Sequence, residues 1–197
     1  MSNTPATTPE STFASPPCIS SDPRNRGNGT RYEAPQIRTF SQLPTGPEKG
    51  WPDVAYNFFI DRFGGIWEGR QGSASGPVRG DATGGSQGFA QLCSLIGNHQ
   101  EAAVSEAQQA SLVQLLAWLG ETYQVDTTPG ATVTFTSRGS NKWPAGTEVT
   151  ARTISGHRDM SLTACPGDLA YALIERSLPE SVSALRTAVT TTTTTTT

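Results

Sequence analysis

The chain of 197 residues has few of the side chains that do metal or redox chemistry: three cysteines, at positions 18, 93 and 165, and two histidines, His99 and His157. An odd, small cysteine count provides no disulfide framework and leaves the redox compartment open. Charge is sparse too, at 16% of residues with a formal net charge of −3 and no basic cluster, which argues against a phosphate-tracking nucleic-acid surface. No run approaches the ~18 consecutive apolar residues of a membrane span, and the first residues lack the charged and apolar regions of a signal peptide.

What remains suits one domain with disordered flanks. Residues 1–33 are rich in Ser, Thr, Pro, Asn and Gly and read as a disordered or degenerate N-terminal region; residues 181–197 end in a threonine run and read as a low-complexity tail. The folded domain is therefore expected over residues 34–180. Within it, residues 34–43 predict a helix of a turn or two confined by Pro35 and Pro44. Residues 54–61 alternate, with Tyr56, Phe58 and Ile60 on one face against Asn57, Phe59 and Asp61, and predict a strand. Gly64 and Gly65 supply a tight reversal into a returning strand at residues 66–68, and residues 89–96 predict a further strand in which Cys93 packs into the core. Ser105 and Gln108 form a capping-box pattern ahead of the Leu112, Leu115, Leu116 and Leu119 stripe of an amphipathic helix ending at Gly120, with Trp118 covering the sheet. Residues 132–136 and 152–155 predict short strands, 138–146 a polar loop, and 169–178 a helix. Strands and helices interleave without a regular beat, so the fold class is mixed α/β, a central mixed sheet flanked by helices.

One short stretch concentrates the chemistry. Gly156-His-Arg-Asp-Met-Ser-Leu-Thr-Ala-Cys-Pro-Gly167 carries one of the two histidines and one of the three cysteines. An imidazole and a thiolate suit Zn²⁺, and the start of the following helix would favour the Cys165 thiolate. Two ligands are fewer than the three of a catalytic zinc site, so the plain alternative stands beside it: Cys165 as a small hydrophobe and His157 as a hydrogen-bonded loop residue.

Gly-His-Arg-Asp with Thr163-Ala-Cys-Pro-Gly167 resembles the closing motif of the peptidoglycan recognition proteins, or type 2 N-acetylmuramoyl-L-alanine amidases. Gly50-Trp-Pro-Asp-Val-Ala-Tyr-Asn-Phe-Phe-Ile-Asp61 followed by Gly65-Ile-Trp-Glu-Gly-Arg70 is similar to the family's tyrosine-bearing strand and hairpin. Leu95-Ile-Gly-Asn98 and Lys142-Trp-Pro-Ala-Gly146 also match, the latter resembling the actinobacterial branch. The resemblance implies a mixed sheet with a zinc-site groove, hydrolysis of the lactyl to L-Ala amide of peptidoglycan, Zn²⁺ as cofactor, and muropeptides as partners of a monomer that is extracellular or associated with the cell wall. It implies His157 and Cys165 as zinc ligands, Tyr56 beside the attacked carbonyl and Thr163 as an aid to catalysis. Asn57 and Asn98 fall where the family lines its groove. Arg158, with Asp159, follows the first of the two ligands and is expected to bind substrate or to orient the site.

The sequence departs from the family in one respect. The resemblance implies a further histidine ligand in an N-terminal His-His-Thr motif, yet no histidine precedes Gly50, and a second family histidine is replaced within Gly80-Asp-Ala-Thr-Gly-Gly85. Three accounts follow. Cys18 or Asp22 supplies the third ligand, the domain is truncated or diverged at its N-terminus, or the protein binds peptidoglycan without cutting it. An activity impaired by loss of one ligand is the expectation, with a recognition module as the alternative. His99 is expected to face solvent.

Overall fold

A computed structural model describes residues 35–39 and 53–194; the expectations for residues 1–33, with Cys18 and Asp22, lie outside the described residues. The element order is β1 (Ile37–Thr39), β2 (Phe58–Ile60), β3 (Ile66–Glu68), β4 (Cys93–Leu95), α1 (Glu106–Thr122), β5 (Thr132–Thr136), β6 (Glu148–Arg152), α2 (His157–Met160), α3 (Asp168–Arg176) and α4 (Leu178–Thr194). A four-stranded sheet runs in the order β1-β3-β2-β4, and β5 and β6 form a separate two-stranded sheet. The first is mixed: β2 pairs antiparallel with β3, while β1 lies parallel to β3 and β4 parallel to β2. This is the mixed α/β single domain that the interleaved pattern predicts.

The short helix expected around Pro35 is replaced, over the described residues, by strand β1. Ile37 is buried and Arg38 exposed, an alternation that fits β-branched Ile37 into the sheet beside Ile66. In β2, Phe58 and Ile60 point into the core as predicted, but the alternation does not reach Tyr56. The N–H groups of Asn57 and Phe58 both donate to the Leu92 carbonyl, at 2.9 and 3.0 Å, so one extra residue is accommodated as in a bulge. Asn57 thereby turns inward, and Tyr56 meets Phe59 edge-on at 5.8 Å rather than joining Phe58. Phe89 stands outside the strand expected to contain it and stacks on Phe135 of β5.

Helix α1 starts where predicted: the Ser105 hydroxyl accepts from Gln108 N–H at 3.1 Å. The box is not closed, however, because the buried Gln108 side chain donates to the carbonyls of Ile60 and Ile96 instead. It ties the helix to the ends of β2 and β4. Leu112, Leu115, Leu119 and Trp118 then bury against Phe58, Ile60 and Ile66, with the Trp118 and Phe58 rings edge to face at 6.1 Å. Gly120 does not end the helix. A Cβ there would lie 2.8 Å from the Thr127 methyl and 2.9 Å from the Arg186 guanidinium, so the glycine serves close packing.

The largest departure is α4. The apparent fading after Leu178 conceals Leu178, Val182 and Leu185 at i, i+4 and i+7; the first two are buried and the third packs on the same core. Arg186 fastens this helix to α1 through Glu121, the Val125 carbonyl and Thr127. The folded unit thus extends past residue 180. Cys93 lies in β4 against the core as expected, with desolvation pushing its thiol up to about 12. No helix among the described residues is long and apolar enough to cross a membrane.

Because Gln108 satisfies two buried carbonyls, Gln108→Ala should lower the unfolding free energy by about 2–3 kcal/mol in a urea titration. A substitution at the exposed Gln114, on the opposite face of α1, should change it by less than about 0.5 kcal/mol.

Candidate functional site

His157 and Cys165 stand near the starts of two neighbouring helices, and the close approach of those helices is written into Gly156. A Cβ on Gly156 would lie 2.9 Å from the Tyr171 ring of α3 and 3.3 Å from Pro166, so only glycine lets the residue before His157 rest on the residue after Cys165. Asp159 then closes the first turn, its Oδ2 accepting from Gly156 N–H at 2.8 Å. Its Oδ1 accepts from the Tyr171 hydroxyl at 2.6 Å, and Arg152, at the end of β6, donates to that same hydroxyl. Asp159, Tyr171 and Arg152 therefore lock α2, α3 and β6 together.

Residues 140–143 hold the other end of α2. Lys142 Nζ donates to the Arg158 carbonyl at 2.9 Å, Trp143 Nε1 to that of Asp159 at 3.2 Å, and Ser140 Oγ to that of Met160 at 2.8 Å. The Asn141 side chain bonds both the N–H and the carbonyl of Leu162. The Lys-Trp motif, for which the sequence suggests no task, is a clamp on the histidine helix.

Arg158 is a clamp too. Its Nη1 pairs with Asp168 at 2.8 Å, its Nη2 donates to the Ala164 carbonyl, and its guanidinium lies 4.7 Å from the centre of the Tyr171 ring. Both terminal nitrogens hold the loop that bears Cys165. Thr163 is exposed, and its hydroxyl accepts from Cys165 N–H at 3.2 Å, fixing the turn at the cysteine. Gln100 bonds Asp168 through backbone and side chain, and His99 offers its carbonyl to Leu169 N–H, so the loop after β4 is sewn to the start of α3.

Electrostatics separate the three reactive groups. Burial lowers the His157 pKa, favouring the neutral imidazole, and its Nδ1 is buried without a hydrogen-bond partner. Burial raises the Cys165 thiol, an effect that the nearby Arg158 opposes. Tyr56 is raised by burial and by the charge of Cys165, which brings the phenol and the thiol within electrostatic reach of each other. The phenol is held protonated, as a donor.

Asn57 is fully buried. Its amide nitrogen donates to Ser73 Oγ and the Val78 carbonyl, and its oxygen accepts from Leu92 N–H at 2.9 Å. All its polar capacity toward neighbours in this region is spent inside the fold, where it braces the loop between β3 and β4. Asn98 is exposed, with its oxygen accepting from Gln100 N–H. His99, expected at the surface, is buried at 6% exposure, with Nδ1 on the Ala102 carbonyl and Nε2 unpartnered. Among the described residues no group of three or more His, Cys, Asp or Glu side chains could hold a metal. The donors present suit zinc in kind, a neutral imidazole with a free ring nitrogen and a thiol in adjoining segments, and are one short in number.

The arrangement is that of a mixed α/β domain, with His157 at the head of α2 and Cys165 in the turn before α3. The chain belongs to the N-acetylmuramoyl-L-alanine amidase family, which it matches over residues 19–168, more than half its length. Solved structures similar to it include two amidases. N-acetylmuramoyl-L-alanine amidase LysC from Clostridium intestinale URNW is 22% identical, with 70% of this chain and 68% of that one covered and a TM-score of 0.45. Endolysine N-acetylmuramoyl-L-alanine amidase LysCS from the same organism is 21% identical, with 72% and 80% covered and a TM-score of 0.46. No curated protein matches.

If Asn57 braces the fold, Asn57→Ala should cost about 2–4 kcal/mol in chemical denaturation, since it leaves the partners of three buried bonds unsatisfied. Asn98→Ala, at an exposed loop, should leave the midpoint unchanged.

Proposed function

We propose that the protein is a zinc-dependent N-acetylmuramoyl-L-alanine amidase that hydrolyses the amide between the lactyl group and L-alanine in peptidoglycan. The observation that carries this reading is the orphaned, buried Nδ1 of His157 in the segment packed against the Cys165 turn, with the Tyr56 phenol in electrostatic reach of the thiol. A buried ring nitrogen with no partner is costly unless something binds it.

In this reading His157 and Cys165 hold the ion. Zinc, when bound, supplies Lewis acidity that brings the pKa of a water toward ~7 and polarises the scissile carbonyl. The chain does the rest. Tyr56, kept protonated, donates to the oxygen on which negative charge develops. Thr163 and Arg158 keep the Cys165 turn in one conformation, and Asp159 keeps the histidine helix in its place. Arg158 and Asn57 act by holding the fold, and the exposed Asn98 is free to meet substrate.

The described residues supply two zinc donors, one fewer than a catalytic site uses, and activity is limited by the loss of the family's N-terminal histidine; Cys18 and Asp22 are the donors the sequence offers in its stead. The substrate assigns the protein to the cell wall or the extracellular space, and it acts there as a monomer.

Metal analysis of the full chain should give one zinc per protein, lost in both His157→Ala and Cys165→Ala; unchanged stoichiometry in both variants would reject the ligand assignment. Loss of zinc in Cys18→Ala or Asp22→Asn would identify the third donor. Incubation with muropeptide and zinc should release free peptide, whereas binding without release would make the protein a recognition module. Tyr56→Phe should retain zinc and lower kcat by about 10²-fold, as expected for loss of one donor to a developing oxyanion.

A further inference from the structure

A cleft of about 300 Å³ opens on the far side of α2 from His157. Asp159 lines it, and residues two apart on a helix project about 200° from each other, so the face that bears Asp159 is not the face that bears His157. One wall is residues 149–152 of β6 with Thr132 of β5 at its end, paired with Arg152; the other is Lys142 and Trp143.

The β6 wall is an unpaired strand edge. Thr153 N–H donates to the Ala131 carbonyl and Ser137 N–H to that of Thr147, which fixes the register: odd-numbered residues of β6 turn their backbone groups toward β5. Thr150 and Arg152 therefore turn theirs away from β5, toward the open side of a two-stranded sheet. The Arg152 carbonyl is taken by the Ser155 hydroxyl, while the N–H and carbonyl of Thr150 have no backbone partner among the described residues.

The charge of the cleft is cationic at its mouth. Lys142, which lines the cleft, donates from Nζ to one carbonyl, lies 5.5 Å from the centre of the Trp143 ring and has no carboxylate partner among the described residues, so its ammonium has donors to spare. Arg152 adds a second cation, shared with Asp159 and Glu175. The one carboxylate in the lining, Asp159, is already engaged by the Tyr171 hydroxyl, Gly156 N–H and Arg152.

We propose that this cleft is an exosite that takes an extended, carboxylate-bearing peptide, which adds as a strand to the free edge of β6 and sets an acidic side chain against Lys142 while Trp143 covers its apolar neighbour. Main-chain bonds to Thr150 supply affinity, and the Lys142 ammonium selects for acid. Neither His157 nor Cys165 lines the cleft, although Lys142, Trp143 and Asp159 also hold the helix that bears His157.

The test uses the full chain and a fluorescein-labelled short peptide of alternating valine and glutamate, followed by anisotropy. It should bind saturably, at least ten-fold tighter than the valine–lysine counterpart. Thr150→Pro removes only an outward N–H and so is compatible with an edge strand; it should weaken binding at least ten-fold, as should Lys142→Ala. His157→Ala should leave the affinity unchanged, so failure of the exosite and failure of the amidase reading are told apart. A peptide N-methylated along one edge tests the same contact without altering the protein and should not bind. Equal affinity for the methylated peptide, equal affinity for the two charge types, or no binding would overturn the proposal. So would a wild-type dimer in sedimentation that Thr150→Pro dissolves, since the edge would then belong to a second copy.

Discussion

A helix of one turn satisfies almost none of its own backbone groups and repays little of the entropy of ordering them, so α2 cannot hold its shape unaided. Its surroundings do this instead. The Asp159 carboxylate takes the N–H at its head, and Ser140, Lys142 and Trp143 take three successive carbonyls at its tail. The position of His157 is thus set by side chains from the loop between β5 and β6 and by Tyr171 of α3. Gly156 admits Tyr171 and Pro166 to that point, and a methyl group in its place would separate the histidine segment from the cysteine turn.

The same dependence explains what could be read from the sequence. Elements whose partner is a broad apolar surface leave a periodic trace: the leucines of α1, Phe58 and Ile60 of β2, and the Gly64 reversal into β3 are all legible. The i, i+4, i+7 set of Leu178, Val182 and Leu185 was equally present, but it is diluted by serine, alanine and threonine, and the helix it predicts reaches into the threonine run. Elements held by side-chain to backbone bonds leave no periodic trace. Nothing in the composition of residues 138–146 shows that they cap α2, and nothing around residue 56 shows that a bulge sends Asn57 inward and Tyr56 toward Phe59. His157, Cys165, Tyr56 and Thr163 were legible as residues through motif resemblance; their supports, Asp159 with Tyr171 and Gln100 with Asp168, depend on contacts up to 68 positions apart.

Two histidines show how burial alone underdetermines role. His99 and His157 each leave one ring nitrogen buried and unpartnered. His99 has its other nitrogen on the Ala102 carbonyl, and its backbone holds the start of α3, so its task is met by structure. Beside His157 in the chain, Asp159 bonds Gly156 and Tyr171 and the terminal nitrogens of Arg158 hold Asp168 and Ala164, while Arg158 Nε, like His157 Nδ1, is buried without a partner.

That distribution has an energetic consequence. A buried polar atom without a partner costs about 1–3 kcal/mol, and a thiol raised by desolvation adds a cost to forming the thiolate. The neutral Cys165 thiol carries its cost only when it ionises, so the unpartnered imidazole nitrogen is the standing one. A species that binds the imidazole nitrogen in the native state alone recovers that free energy and stabilises the fold by mass action, whereas taking the Cys165 thiolate must first meet the cost of ionising it. If a ligand takes up His157 and Cys165, the bonds that hold α2 and the Cys165 turn keep both segments in place before it arrives.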